Sequence, residues 1–331
     1  MKTWKQIAKN STACIVAPSS GVGTSSDVEE KIESIKELVK LYGLTPYIYP
    51  NLLAPQSHPL FNQSHLPFAN TDQVRSDNLL HALNNPVCSV VWCLRGGYGA
   101  IRLLKALDDS PEPTEVKLLL GFSDITILHL FLNSKWGWPS LHFGMPGAPD
   151  AITAHGMARE DTINNLQQII YGEVESVSFK LTRLNGNNDR EISGITAGGN
   201  TFNIQMLFGT NFQIDLTNKI LVLEEVGEEA RWLDGFLQKI QMVPNFPKLS
   251  AVVFGEFLPL DKKFVFDKII DDFARHVEIP VFTIFPEDTI GHGHVNRALP
   301  LGTQASINLS DEGYKMVVTT GMVTETSHDD L

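Results

Sequence analysis

The chain has 331 residues, enough for about two domains with full hydrophobic cores, which excludes a small disulfide-stapled scaffold. Apolar residues make up 43% and charged residues 19%, a balance that excludes a disordered chain. With 26 Lys plus Arg against 38 Asp plus Glu the net charge is -12, so no overall positive field attracts nucleic acid, and no run approaches the ~20 apolar residues of a membrane span.

The basic start, MKTWKQIAKNSTACIVAPSS, has an apolar run only from Ala13 to Ala17, too short for an export signal, and a cytoplasmic protein is expected. That run predicts a buried strand ending at Pro18. GVGTSS at 21–26 lacks the third glycine of the dinucleotide fingerprint and the lysine of a P-loop, so it reads as a loop and helix cap. Val28, Ile32, Ile35, Leu38, Val39 and Tyr42 then recur at helical spacing up to Gly43. LTPYIY (44–49) follows, and later a helix that Thr71 can cap, carrying Leu79, Leu80 and Leu83. VCSVVWC (87–93) and VKLLLGF (116–122) are further core strands, each followed by a turn and a helical pattern. Repeated strand–helix units imply a mostly parallel sheet covered on both faces. Cys14, Cys88 and Cys93 lie in apolar runs without metal-site spacing and read as buried reduced thiols.

Between 151 and 195 a polar helix, EDTINNLQQII, a strand-like VESVSFKL and the turn-rich NGNNDR read as a connecting segment. KILVLEE, a helix through Trp232, Leu233 and Phe236, AVVFGEF, a helix from about 262 to 276, and the strands PVFTIF, SINL and KMVVTT complete a second unit. The expected organisation is a domain over 1–150, a connection over 151–195 and a smaller α/β domain over 196–331.

Three places carry candidate chemistry. In LLLGFSDIT (118–126) an apolar strand meets a helix at Ser123, where a hydroxyl stands clear of the sheet beside the free N–H groups of the helix start. The alternative is that Ser123 is an N-cap and Asp124 offsets the helix dipole. LRGGYGA (94–100) follows another core strand, and its glycines let backbone N–H groups approach a ligand at the sheet's carboxyl edge, or else form an ordinary tight turn. An attacking serine needs a base and an orienting acid. Glu224 ends an alternating apolar run and is expected half-buried, whereas Glu225, Glu228 and Glu229 read as surface charges; His292 and His294 lie in a glycine-flanked loop. A rival reading makes His292 and His294 metal ligands, completed by Glu287, Asp288 or His142. AGGN (197–200) brings backbone near the cleft or is a turn.

Taken in order, APSS (17–20), RGGYG (95–99), GFSD (121–124), GGN (198–200), LEE (223–225) and GH with LPLG (291–302) resemble the LD-carboxypeptidase family of serine peptidases, which includes the microcin C self-immunity peptidases. The resemblance implies a Rossmann-like or flavodoxin-like N-terminal domain with the nucleophile and a smaller C-terminal domain with the acid and base. It implies Ser123 as nucleophile, Glu224 as orienting acid, His292 as general base, and the backbone N–H groups of Gly97 and Asp124 as oxyanion hole. Arg95, Gly96 and Asn200 are candidate substrate contacts within the matching motifs. Arg231 precedes Trp232 where relatives often have the aromatic first, which leaves that arginine without an assigned role. The implied reaction removes C-terminal D-alanine from murein tetrapeptide without metal or organic cofactor, in a cytoplasmic homodimer. Alternatives are cleavage of a peptidyl or aminoacyl nucleotide, a metallohydrolase built on His292 and His294, and a non-catalytic small-molecule binder.

Overall fold

In the computed structural model, residues 1–21, 28–54, 68–144, 160–186, 190–293 and 295–323 are described. The first half lays down β1 (Trp4–Lys5), β2 (Thr12–Val16), α1 (Val28–Leu41), β3 (Thr45–Ile48), α2 (Asp72–Asn84), β4 (Cys88–Cys93), α3 (Leu104–Asp108), β5 (Leu118–Gly121), α4 (Thr126–Phe131) and β6 (Ser140–His142). Apolar runs such as ACIV and SVVWC become interior strands because both faces of a parallel sheet are covered, leaving no solvated face for alternating polar residues. Thr71 caps α2 by accepting a hydrogen bond from the Val74 amide at 3.3 Å. All three cysteines are buried and free.

Strands β3, β2, β4, β5 and β6 lie side by side in that order, all parallel. This is the flavodoxin-like order, with its topological switch between β2 and β4, and open sheets of this type bind ligands beyond the strand ends at such a switch. The sixth strand, β12 (Leu299–Leu301), comes from the far end of the chain and pairs antiparallel with β6, Leu299 opposite His142.

The second half contains α5 (Glu160–Ile170), β7 (Ser176–Arg183), β8 (Ile192–Asn200), α6 (Thr201–Leu207), β9 (Lys219–Val226), α7 (Ala230–Gln241), β10 (Ala251–Leu258), α8 (Lys263–His276), β11 (Val281–Ile284), β13 (Gln304–Ser310), β14 (Gly313–Thr319) and β15 (Met322–Val323). Here the α/β class holds, and the sheet takes a form outside the expectation. Seven strands close into a barrel in the order β10, β11, β7, β14, β13, β8, β9. Four neighbours, β8 through β11, run parallel, and β7, β14 and β13 return antiparallel. The difference has a sequence basis. In β7, Val177, Phe179 and Leu181 alternate with polar residues, as befits a strand with one solvated face, while β9 from Ile220 to Leu223 and β10 from Ala251 to Phe254 are continuous apolar runs buried on both faces. Thus β7, expected within a connection, is a barrel stave. Besides β12, the pairing of β1 with β15 ties the two ends of the chain together, Trp4 donating to the Thr320 carbonyl at 3.0 Å. Among the described residues no helix is long and apolar enough to cross a membrane.

Candidate active site

Three loops from the first sheet meet at the switch point: residues 17–20 after β2, 94–100 after β4 and 121–124 after β5. At the end of β5 the backbone turns sharply, and Ser123 holds φ at 59°, a conformation uncommon outside glycine and costing about 1–3 kcal/mol. The N-cap position of the turn it opens is Phe122 and that of α4 is Ile125, so Ser123 is not the simple N-cap of the alternative reading. Gly96 lies directly against it: a Cβ on Gly96 would stand 2.7 Å from Cβ of Ser123 and 3.2 Å from the Asp124 amide nitrogen. Gly97 has φ 105°, and a side chain there would collide with the Ser20 hydroxyl.

Asp124 is fully buried and does more than face a helix dipole. Its Oδ2 accepts from Ser19 Oγ at 2.6 Å and from the Ala100 amide at 2.8 Å, binding the three loops together. Burial pushes its carboxyl above the usual range, against the pull of these hydrogen bonds. Arg75, also buried, donates to the carbonyls of Pro18, Gly99 and Asn70 and pairs with Asp72. Arg95 donates to the Gly21 carbonyl at 3.0 Å.

From the barrel, β9 delivers Glu224 and Glu225 to opposite faces, as strand periodicity requires. Glu224 is fully buried rather than half-buried. Its Oε2 accepts from His292 Nδ1 at 2.6 Å, and its Oε1 faces His142 Nε2 at 3.6 Å. Burial alone would raise the Glu224 carboxyl, but the charge of His292 and the two imidazoles outweigh it and hold it at about 2. Burial correspondingly disfavours charged His292, and Glu224 overrides this, raising the imidazole above its ordinary value. The ring of His292 lies on that of Phe122, centroids 4.6 Å apart and planes inclined by 36°. The imidazole therefore packs one residue from Ser123, although Ser123 makes no hydrogen bond to it among the described residues. Such contacts are often long in unliganded sites.

Glu225 corrects its reading as a surface charge. It is buried and accepts from Asn200 Nδ2 at 2.6 Å, from the Phe202 amide at 2.8 Å, from the Val226 amide at 2.9 Å and from the Thr201 hydroxyl. Nothing in LEE distinguishes its two acids except strand phase, which places both inside once both strand faces are covered. Asn200, with Oδ1 accepting from Asn203, spends its side chain within this network, and its amide donates to Thr126 Oγ1 at 3.0 Å, joining the barrel to α4. Of the rival metal set, Asp288 is engaged by Arg297 and the Lys180 amide, and His294 lies outside the described residues. Among the described residues no group of three His, Cys, Asp or Glu could hold a metal ion. Arg231 is exposed and paired with Glu229 at 2.8 Å. Sequence reasoning missed Arg75, which no motif marks, gave Phe122 within GFSD no role, and valued His142 only as a possible metal ligand.

Residues 14–143 match the LD-carboxypeptidase N-terminal domain and residues 193–307 the LD-carboxypeptidase C-terminal domain. A putative carboxypeptidase of Rickettsia conorii is 31% identical over 315 residues, covering 94% of this chain and 91% of that protein. The murein tetrapeptide carboxypeptidase of Pseudomonas aeruginosa is 27% identical over 318 residues, covering 92% of this chain and 94% of that one. Among solved structures, an MccF-like protein from Streptococcus pneumoniae in complex with AMP superimposes with a TM-score of 0.75 at 18% identity, over 94% of this chain and 99% of that chain, a likeness of fold. Two matched domains in the expected order, and a relative 31% identical along nearly the whole length, establish that the chain belongs to the LD-carboxypeptidase family of peptidases.

Proposed function

We propose that the protein is a serine-type LD-carboxypeptidase that releases D-alanine from murein tetrapeptide during cytoplasmic recycling of cell-wall peptides. The observation carrying this reading is the buried Glu224–His292 pair, 2.6 Å across, stacked on the residue next to a serine held at φ 59°. In this reading Ser123 Oγ attacks the carbonyl joining the L-configured residue to D-alanine, and its proton passes to Nε2 of His292, whose Nδ1 is held by Glu224. The backbone N–H groups of Gly97 and Asp124 receive the oxyanion. The intermediate collapses as the C–N bond breaks, His292 returns the proton to the departing amine, and water, activated by the same imidazole, releases the tripeptide from Ser123. In this reading Arg95 and Gly96 contact the substrate. Support for a murein substrate comes from the Pseudomonas aeruginosa relative, while the pairing of His292 Nδ1 with Glu224 at 2.6 Å supports the serine chemistry.

The test is a mass-spectrometric comparison of two substrates, murein tetrapeptide and a peptidyl nucleotide, each with and without chelator. Release of D-alanine from the tetrapeptide, unchanged by chelator, is expected. Cleavage confined to the nucleotide conjugate would shift the assignment to an immunity-type peptidase, loss of activity with chelator would favour a metallohydrolase, and ligand recovered uncleaved would leave a binding protein.

A further inference from the structure

A second imidazole stands beside Glu224, and the reaction described above does not use it. His142 is the last residue of β6 and is fully buried. Its Nε2 faces Oε1 of Glu224, the oxygen that His292 leaves unbound, at 3.6 Å. Both ring nitrogens of His142 and Oε1 of Glu224 lack a hydrogen-bond partner among the described residues. Buried polar atoms are rarely left so, and two of these three point at each other across the seam between sheet and barrel. The ring is boxed in by Phe122, centroids 6.3 Å apart, and by His129, 6.0 Å away, so it has little room to turn elsewhere.

Resting on the serine reading, we propose that His142 is a positioning residue: its Nε2–H closes onto Oε1 of Glu224 when substrate binds, fixing the carboxylate with Oε2 aimed at Nδ1 of His292. The present separation exceeds a hydrogen bond by a few tenths of an ångström, and contacts of this kind tighten in the loaded site. An imidazole N–H placed there solvates the buried carboxylate with a hydrogen bond. It also shares the negative charge of Glu224 between two donors, so that His292 serves as a base instead of being locked as imidazolium. The charged and titratable groups facing this pair are Glu225 from β9, Glu256 from β10 and His129 from α4.

The experiment follows the pH dependence of Ser123 labelling by a fluorophosphonate in the full chain. Ser123 Oγ displaces fluoride from phosphorus, and its proton leaves through His292. Wild type, His142→Gln and His142→Asn are compared, because a glutamine amide reaches the place of Nε2 and an asparagine amide stops short of it. His142→Asn is expected to label about 10–100-fold more slowly, as when an outer-shell hydrogen-bond partner is lost, with its acid limb displaced upward because Glu224 then grips the proton on His292 harder. His142→Gln is expected to stay within about threefold of wild type with its acid limb unmoved. Equal behaviour of the two variants overturns the proposal, whether both are impaired or both are intact. A wild type that is not labelled at Ser123 overturns the serine reading and the proposal together, whereas a labelled wild type with indifferent variants overturns the proposal alone. A measurement on the unsubstituted chain stands beside these. Nitrogen-15 NMR of the fluorophosphonate adduct is expected to show the His142 proton on Nε2, and a proton on Nδ1 overturns the proposal.

Discussion

Glu224 is an anion with no exposed surface, and among the described residues the imidazoles of His292 and His142 stand beside it. Replacing it by glutamine keeps the shape and removes the charge. His292, whose ring is raised above its ordinary 6.5 by that charge, then loses its anionic neighbour. The sign follows directly. A base must be unprotonated, so wild-type activity falls as the pH drops below the raised value, and Glu224→Gln moves this acid limb to lower pH. The maximal rate falls by about 10⁴, as when an orienting acid is neutralised. A pH profile of kcat/KM checks both, and an acid limb that stays in place would contradict the pairing. The stabilising share of the His292 ring runs the other way: it is complete below pH 6.5 and fades as the pH rises through the raised value, while that of Glu224 is complete above pH 4.5 and is lost as the pH falls toward about 2.

Among the secondary elements, α4 is pinned to the sheet by one buried side chain. His129 Nε2 donates to the Gly121 carbonyl at 2.8 Å and Nδ1 accepts from the Ser140 hydroxyl at 2.9 Å, linking the helix after Ser123 to β5 and β6. Burial depresses its pKa to about 3, so the ring is neutral in the folded protein. Its contribution to stability is present above pH 6.5 and is lost as the pH falls toward 3, at up to about 1.4 kcal/mol per unit. His129→Gln should cost about 1–2 kcal/mol at pH 7 through the weakened hydrogen bonds and should flatten the decline in urea midpoint between pH 6 and 4. An undiminished acid slope would show that His129 is not the group responsible. At this scale the sequence was largely readable. The βα alternation, the Thr71 cap and the strand ends at Gly121 and Cys93 follow from local pattern, because a parallel sheet writes itself as continuous apolar runs. Glu225 was not, since a carboxylate taken up by four neighbours looks locally the same as one in water.

For the molecule as a whole, the site exists because the chain returns. β12 carries the barrel half back to β6, and the loop bearing His292 lies between β11 and β12, so the imidazole is laid on Phe122 by the same pairing that completes the first sheet. The LEE and GH motifs hold the Glu224 and His292 that the structure pairs, but they do not show this crossing. Barrel closure and the β6–β12 pairing are long-range contacts with no local signature, and they set the position of β7 in the barrel and of His142 against Glu224. The central claim is that Ser123 from one half and His292 from the other form a single nucleophilic unit. Groups acting as one unit are strongly non-additive when removed. The direct measurement is therefore the rate of D-alanine release from murein tetrapeptide by wild type, Ser123→Ala, His292→Ala and the double variant, with thermal unfolding confirming that each is folded. Each single change is predicted to reduce the rate by about 10⁴ or more, and the double variant to be no slower than either. Near-normal turnover by Ser123→Ala, or losses that multiply in the double variant, would contradict the account.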